Sequence, residues 1–204
     1  MVVVEKTPDE ILVQHAQERD AQGRSTRRGQ VAFEELHERY KHQLFTYFRL
    51  HGIGQQTSED LTQDTFMKAW RGLPKKSVDS PFRCWLLKIA TNEFNSFFRT
   101  LKLKKNDALL VSLEGMIEYD PATLPASTEQ GIEEQTIQRE RISTILARLS
   151  LREQHCLLLF DRNGLSAKEV AEILKIRENS ATSLLCRARQ RFRELYEALD
   201  QQMF

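Results

Sequence analysis

Apolar side chains recur at steps of three and four residues through the first half of the chain, which is the spacing of one face of an α-helix. The first such run is Phe33, Leu36, Tyr40, Leu44, Tyr47 and Phe48. A second helix is predicted over 58–73, with Leu61, Phe66, Ala69 and Trp70 facing inward. A third is predicted over 82–105, after a loop with two prolines. Because no alternating strand pattern competes, residues 30–105 are predicted to form a helical block.

The second half of the chain predicts two short helices joined by a tight turn, between Leu165 and Phe192. Ser166 and Glu169 have the S-x-x-E spacing of a capping box at the start of the first helix. After the turn, a new apolar pattern accompanies an arginine at every second position from 187 to 193. This order is typical of a helix-turn-helix, whose second helix enters the major groove of DNA. A plain helical hairpin with solvated arginines fits the same local pattern.

The net charge of +1 hides an uneven distribution of charged residues. Residues 30–105 hold thirteen basic and eight acidic side chains, for +5, and residues 139–204 hold twelve and nine, for +3. Between them, residues 106–138 hold seven acids and no Lys or Arg, for −7. Phosphate binding depends on local cationic clusters rather than on net charge, so the two basic blocks permit a nucleic-acid partner. The acidic stretch is predicted to be a flexible linker, and the alternative is a docked segment that competes for a nucleic-acid channel.

These patterns together predict an all-α protein of two small helical domains joined by an acidic flexible linker. The expected divisions are an N-terminal extension with a partial helix over 1–29, a first domain over 30–105, the linker over 106–138 and a second domain over 139–204. No apolar run approaches membrane-spanning length, and the N-terminus has no secretory h-region. We therefore expect no membrane insertion and a cytoplasmic location.

Catalytic and metal-binding signatures are missing from the sequence. There is no glycine-rich phosphate loop, no pair of catalytic carboxylates and no His-rich metal spacing, so we expect neither an enzyme nor a bound metal or cofactor. The three cysteines, at 84, 156 and 186, are scattered without a C-x-x-C pair and are expected to be buried thiols. His155 and Cys156 are interpreted as one core and one surface residue, because neighbours on a helix point in different directions.

Five stretches resemble, in the expected order, bacterial sigma factors of the extracytoplasmic-function (ECF) group. AFEELHERY at 32–40, SEDLTQDTFMKAW at 58–70 and PFRCWLLKIATN at 81–92 resemble three segments of sigma region 2. LSLREQHCLLL at 149–159 and RARQRF at 187–192 resemble sigma region 4. The resemblance covers nearly the whole chain and implies region 2 over 30–105 and region 4 over 139–204. It further implies a protein that binds core RNA polymerase and promoter DNA and has no catalytic activity of its own.

The resemblance also implies a role for exposed residues of region 2. In this family the polar face of the second helix binds a coiled coil on core RNA polymerase. Here that face would comprise Asp60, Gln63, Asp64, Lys68 and Arg71. The loop 72–80 and the following helix would recognise the −10 element, capture a flipped base and help to melt the duplex. The candidate contacts are Lys75, Lys76, Asn92, Ser96, Arg99, Lys102, Lys104 and Lys105.

In region 4, the resemblance places the helix 178–193 in the major groove of the −35 element. Side chains near its start would read base edges, and the later arginines would hold phosphates. The candidates are Arg177, Glu178, Ser180, Thr182, Ser183, Arg187, Arg189 and Arg191. This helix departs from the family pattern, because NSATSLL stands where G-T-V-K-S-R-L is usual, so that Thr182 and Leu184 replace two basic residues.

Three further departures concern a turn, a cap and the −10 helix. Lys175 replaces the usual turn glycine, Arg177 the usual serine cap, and Ser96 an aspartate of the −10 helix. These changes affect the promoter sequence more than the fold. In the N-terminal extension, the arginines at 24, 27 and 28 fit either a DNA contact or an expanded solvated loop.

Two other functions stay open at this point. A sigma-like mimic or adaptor would bind an anti-sigma factor without directing transcription; the changes at 182 and 184 favour it, and the basic stretch 99–105 opposes it. A repressor or activator with an N-terminal sensor would leave the motifs at 58–70 and 81–92 unexplained. An anti-sigma factor is an expected partner, since no long domain follows residue 200 to regulate the protein.

Overall fold

The computed structural model describes residues 7–77, 80–107 and 141–201, without the side chains of 102–107. Eight α-helices lie in these ranges: α1 (Asp9–Gln17), α2 (Arg27–Leu50), α3 (Gln55–Gly72), α4 (Phe82–Asp107), α5 (141–147), α6 (Leu151–Leu157), α7 (Ala167–Leu174) and α8 (Glu178–Gln201). A 3-10 turn, Leu73–Lys75, follows α3, and a π-helical turn, Leu158–Arg162, follows α6. The all-α prediction is confirmed. The predicted linker lies outside the described residues, except for its first two, which end α4.

The N-terminal helices α1–α4 pack around one core, as the apolar pattern predicts. Its largest fully buried side chains include Leu36, Tyr47, Phe48, Leu86 and Phe94. Each such side chain contributes roughly 1.5–3 kcal/mol by leaving water. No described helix is both long enough and apolar enough to cross a membrane.

The N-terminal extension belongs to this core. Helix α1 packs against α2, and Leu12, Val13 and Ala16 are buried. The two helices approach closely at Gly29, where a Cβ atom would lie 2.9 Å from the carbonyl oxygen of His15. Only glycine fits such an approach without displacing backbone.

Residues 18–26, between α1 and α2, form an ordered loop that is closed by hydrogen bonds. The Asp20 carboxylate accepts hydrogen bonds from the backbone amides of Gln22 and Arg24, at 2.9 and 2.8 Å. The Thr26 hydroxyl then caps α2 by accepting from the amide of Gly29 at 3.0 Å. The helix therefore begins at Arg27, ahead of the boundary predicted at residue 30.

The C-terminal helices contain the predicted helix-turn-helix, with α7 and α8 packed on each other and α6 packed on α8. The amide of Ser166 donates to the Glu169 carboxylate at 2.7 Å, and the Ser166 hydroxyl accepts from the amide of Glu169, so the predicted capping box is confirmed. Ser150 and Glu153 form a second capping box at the start of α6. These caps satisfy amides that the first turn of each helix leaves without a carbonyl partner.

Lys175 ends α7 in the left-handed conformation, with φ 56° and ψ 46°, where the family's pattern has glycine. It is the only non-glycine residue with positive φ in the described ranges. We expect Lys175→Gly to raise the free energy of unfolding by roughly 0.5–1 kcal/mol, because relief of this strain exceeds the added entropy of the unfolded chain. A urea titration of the wild type and of Lys175→Gly measures this difference in the free energy of unfolding.

Gly164→Ala is the matched opposite change for Lys175→Gly. The φ of Gly164 is 60°, and a Cβ atom there would meet nothing within 4 Å. The decrease in the free energy of unfolding caused by Gly164→Ala therefore reports the backbone strain alone. A lower unfolding midpoint for Lys175→Gly would contradict the prediction.

Two expectations about buried residues are corrected. Cys84 and Cys156 are buried, and burial raises the pKa of each thiol to about 11, but Cys186 is exposed. Helix α8 directs Ala181, Leu185 and Ala188 inward, which leaves position 186 outside. His155 and Cys156 are both buried and are not a core-and-surface pair. Helix α6 is covered on two sides, by α8 and by the N-terminal helices.

The N-terminal and C-terminal helices are in contact with each other. The Gln43 side-chain amide donates to the Asn163 side-chain carbonyl at 2.6 Å, and Lys88 pairs with Glu172 at 2.7 Å. Helix α4 packs against α7. The two blocks that the sequence predicts as separate domains thus share an interface.

Candidate promoter and polymerase interfaces

The five residues predicted to bind polymerase lie on α3 and are all exposed: Asp60, Gln63, Asp64, Lys68 and Arg71. Steps of three and four residues keep them along one side of the helix, opposite the buried Leu61 and Phe66. The ammonium of Lys68 pairs with the carboxylate of Glu93 on α4. The remaining carboxylates, amide and guanidinium form a polar stripe that is open to a partner.

An apolar groove beside this stripe escaped the sequence analysis. It has a volume of about 460 Å³, lies between α2 and α3, and includes Phe33, Gln63, Met67 and Trp70 among its lining residues. Met67 is 49% exposed. An exposed methionine next to polar groups supplies adaptable apolar contact area at a binding surface.

The two lysines of the loop after α3 differ in their surroundings. Lys75 is exposed, as a phosphate contact requires. Lys76 is buried, and its ammonium donates to the backbone carbonyls of Ser77, at 2.8 Å, and Ser80. The prediction that Lys76 contacts DNA directly is therefore corrected. The carbonyl groups of this loop need hydrogen-bond donors, and the ammonium of Lys76 is one such donor. The Gln17 amide supplies another, donating to the carbonyl of Lys76 at 3.0 Å.

Helix α4 presents Asn92, Ser96 and Arg99 as an exposed row at steps of four and three residues. The structure thus brings these three −10 candidates to one side of the helix. Position 96 holds a hydroxyl in place of the family's aspartate, so it has no negative charge and can donate as well as accept a hydrogen bond. The side chains at 102, 104 and 105 lie outside the described residues, so their DNA contacts stay predictions.

All eight −35 candidates are exposed, in the turn before α8 and along its first half. The hydroxyl of Thr182 donates to the carbonyl of Glu178 at 3.2 Å, and that of Ser183 donates to the carbonyl of Asn179 at 2.8 Å. Both oxygens keep lone pairs that can accept from base amino groups. These hydroxyls are held in place by their own helix.

The three arginines that would hold phosphates are not equally available. Arg189 pairs with Asp161 on the π-helical turn, and Arg191 lies 3.5 Å from the carboxylate of Glu194. Arg187 donates only to the Ser183 carbonyl, at 3.4 Å, and has no carboxylate partner within the described part of the chain. Arg187 is consequently the strongest of the three candidates for a phosphate contact.

A cleft between α4 and the helix-turn-helix brings candidates for both promoter elements together. It has a volume of about 730 Å³ and is lined from one side by Asn92, Asn95, Phe98 and Arg99. From the other side it is lined by residues that include Arg152, His155, Lys175, Ser180 and Arg187. We call this space the basic cleft, since it has four cationic side chains and no carboxylate among its described lining residues.

Three polar residues at the centre of the interface were missed as functional candidates. Tyr47, His51 and His155 are 1%, 8% and 3% exposed, and their side chains contact one another. The sequence carried a signal, because each is a polar group within an apolar helical stripe. That pattern predicts that these polar side chains are buried, but it does not predict which residues they contact.

Comparison with known proteins agrees with this geometry. The Sigma-70 region 2 family matches residues 36–103, and the Sigma-70, region 4 family matches residues 139–192. RNA polymerase sigma factor YlaC of Bacillus subtilis is 30% identical over 78% of this chain and 88% of its own length. RNA polymerase sigma factor CnrH of Cupriavidus metallidurans is 28% identical, over 83% and 88%. ECF RNA polymerase sigma factor SigM of Bacillus subtilis is 28% identical, over 81% and 96%.

Solved structures support the same fold. CnrH in complex with the cytosolic domain of CnrY has a TM-score of 0.64 at 23% identity, covering 93% of this chain and 97% of that one. Sigma factor RpoE in complex with the anti-sigma factor NepR, from Bartonella quintana, has a TM-score of 0.64 at 24% identity, covering 81% and 96%. Both sigma regions are present in order, on a helical fold shared with sigma factors, and the chain therefore belongs to the ECF group of the sigma-70 family of RNA polymerase sigma factors.

Proposed function

We propose that this protein binds core RNA polymerase through the exposed face of α3 and directs initiation at promoters that it reads with two separate surfaces. Helix α4 and the loop before it recognise and help to open the −10 element. Helix α8 occupies the major groove of the −35 element. The protein acts in the cytoplasm and supplies recognition, while polymerase carries out the chemistry.

The arrangement of exposed groups on α3 and α8 supports this proposal most directly. Amphipathic helices normally expose mixed charges, but α8, the second helix of the helix-turn-helix, exposes a glutamate and hydroxyls at its start and cations after them. That combination suits a helix that reads base edges with its N-terminal residues and holds phosphates with later ones. The α3 stripe, with its adjoining apolar groove, suits a protein partner.

Reconstitution with core RNA polymerase, followed by run-off transcription from a randomised promoter library, tests the proposal. Promoter-dependent transcripts that share two sequence elements are the expected result. Absence of polymerase binding would overturn the proposal for α3, and transcripts without a common upstream element would overturn the role of α8.

A sigma-like adaptor that binds an anti-sigma factor is the second candidate. The two similar solved structures are complexes, of CnrH with the cytosolic domain of CnrY and of RpoE with the anti-sigma factor NepR. An anti-sigma partner is proposed here for either function. Binding to polymerase without any promoter-dependent transcript would favour the adaptor.

Arg187→Ala is expected to weaken promoter binding by the reconstituted holoenzyme at every sequence, because it removes a phosphate contact. The slope of log affinity against log salt should fall in magnitude by about 0.9 for one lost contact. Glu178→Ala should instead change the preference at particular base pairs, by about 1–3 kcal/mol. Gln190→Ala, an uncharged change on the same helix, is the control, and an equal salt slope for it and Arg187→Ala would contradict the assignment.

A further inference from the structure

The loop that follows α3 is tied to the N-terminal helix by one side chain. Gln17, the last residue of α1, donates from Nε2 to the backbone carbonyl of Leu73 at 2.8 Å and to that of Lys76 at 3.0 Å. The amide of Lys76 also donates to the carbonyl of Leu73, at 3.0 Å, and so closes the 3-10 turn. A single amide group therefore holds both ends of this turn, although 56 and 59 positions separate it from its two acceptors.

The side chain of Lys76 makes a second tie, between the start and the end of the same loop. It is 7% exposed, and its ammonium donates to the carbonyls of Ser77, at 2.8 Å, and of Ser80. Ser80 lies two residues before α4, which begins at Phe82. The chain therefore leaves α3 and enters α4 within reach of one ammonium group. We call residues 73–77 and 80 the loop frame.

Hydrogen bonds, rather than close packing, connect the loop frame to α1. Leu73 is fully buried and anchors the start of the frame in the core. On the side of α1, however, there is a cavity of about 170 Å³ whose lining includes Val13, Gln17, Lys76 and Ser80. A buried carbonyl that loses its donor destabilises the conformation that contains it. Removal of the Gln17 or Lys76 donors should therefore loosen the frame.

Helix α1 is itself fixed to the rest of region 2. Asp9, at its start, accepts from the guanidinium of Arg39 and from the hydroxyl of Tyr40, both on α2. Val13 and Ala16 are buried between these bonds and Gln17. Side chains that are held by a rigid element position their own partners precisely. Helix α1 can thus act as a support for the loop frame.

The loop frame carries one −10 candidate and leads into the others. Lys75 is exposed, directly before the buried Lys76, and α4 follows with the row of candidates that begins at Asn92. Capture of a flipped base must offset the free energy of unstacking that base and of ordering the loop that receives it. A loop that is already ordered before DNA arrives avoids the second of these costs.

We propose that Gln17 and Lys76 are positioning residues for opening of the −10 element, which hold the loop frame in its DNA-binding arrangement without touching DNA. This role rests on the proposed function, because promoter opening is the step that a loose frame would slow. Loss of the Gln17 donors is expected to slow opening about tenfold, the effect of one or two hydrogen bonds on an equilibrium. The affinity for the −35 element, which α8 contacts, should not change.

Amide hydrogen exchange of the full chain, followed by NMR, tests the hold on the loop frame without DNA or polymerase. Gln17→Met keeps the length of the side chain but has no donor, so the amide of Lys76 should exchange about tenfold faster. Gln17→Lys, whose ammonium can donate to both carbonyls, should restore slow exchange. Gln14→Met, at an exposed position one turn earlier on α1, is the matched control.

Three results of the exchange experiment would overturn the proposal. Unchanged exchange in Gln17→Met would show that the frame does not depend on this side chain. Equal acceleration in Gln14→Met would show a general effect of changing α1. Acceleration in Gln17→Lys equal to that in Gln17→Met would assign the effect to packing and not to the hydrogen bonds.

Promoter opening by the reconstituted holoenzyme, followed by the fluorescence of 2-aminopurine within the −10 element, tests the consequence for DNA. Gln17→Met and Lys76→Met should both slow opening about tenfold and leave the slope of log affinity against log salt unchanged. Lys75→Met, which removes a phosphate contact, should lower the magnitude of that slope by about 0.9. An equal decrease in Lys76→Met would show that Lys76 contacts phosphate directly and would overturn its positioning role.

The wild type separates this proposal from the proposed function. A wild-type holoenzyme that opens no promoter contradicts the proposed function. A wild type that opens promoters at the same rate as both variants contradicts only the positioning role. If Lys76→Met does not fold, Gln17→Met carries the test by itself, since Gln17 is only half-buried.

Discussion

Replacing Asp60 and Asp64 together by lysine is expected to reduce the affinity for core RNA polymerase at least about a hundredfold and so to abolish promoter-directed transcription. Both carboxylates are exposed on the proposed polymerase-binding face, and neither is in an ion pair within the described residues. Reversing a charge at a complementary interface replaces attraction by repulsion, at about 2–5 kcal/mol for a close pair. A loss of about 2.8 kcal/mol is already a hundredfold in affinity.

Equilibrium binding to polymerase, by fluorescence anisotropy of labelled protein, is the measurement. The matched control is Glu194→Lys together with Glu197→Lys, which changes the net charge equally from exposed positions on α8. Circular dichroism of both variants should equal that of the wild type, since the altered side chains lie in solvent. Unchanged polymerase affinity in the α3 variant would remove this face from the proposal.

Phe48→Ala should cause a large loss of stability, because it truncates an aromatic side chain that is fully buried in the core of region 2. Phe48 is 0% exposed, and its ring packs edge-on against Tyr47 with centroids 5.6 Å apart. Truncation of such a residue costs about 3–5 kcal/mol, against a total of about 5–15 kcal/mol for a typical domain. Region 2 should then unfold at a much lower urea concentration.

A urea titration followed by circular dichroism measures the effect of Phe48→Ala. Val31→Ala on the same helix is the control, because Val31 is 57% exposed and its truncation should change the free energy of unfolding by less than about 0.5 kcal/mol. Similar midpoints for the two variants would show that the core does not depend on Phe48.

The local elements could be predicted because their causes are local. The apolar spacing of α2, α3 and α4, the Ser166–Glu169 cap and the strained turn at Lys175 all depend on residues within one or two helical turns. The exposed stripes on α3 and α8 follow from the same periodicity. Their roles in binding polymerase and DNA came from the resemblance and stay proposals.

Which of two neighbouring residues is buried could not be predicted, because burial depends on the elements that pack against each residue. Lys75 and Lys76 are identical in type and adjacent, yet only Lys76 is enclosed by the loop carbonyls. Cys186 follows an apolar pair, yet α8 turns it to solvent. His155 and Cys156 are both buried because α6 packs against α8 on one side and the N-terminal helices on the other. The sequence of α6 does not predict these two contacts.

By itself, the sequence determined that this protein is all-α, with two basic helical blocks, an acidic stretch between them and motifs of a sigma factor. Those features are set by short-range spacing and by composition. Only the tertiary structure decided that the N-terminal helix completes the core of region 2 and that the two regions dock through Tyr47, His51 and His155. These contacts join residues about a hundred positions apart, and no local pattern encodes which buried polar group will meet which.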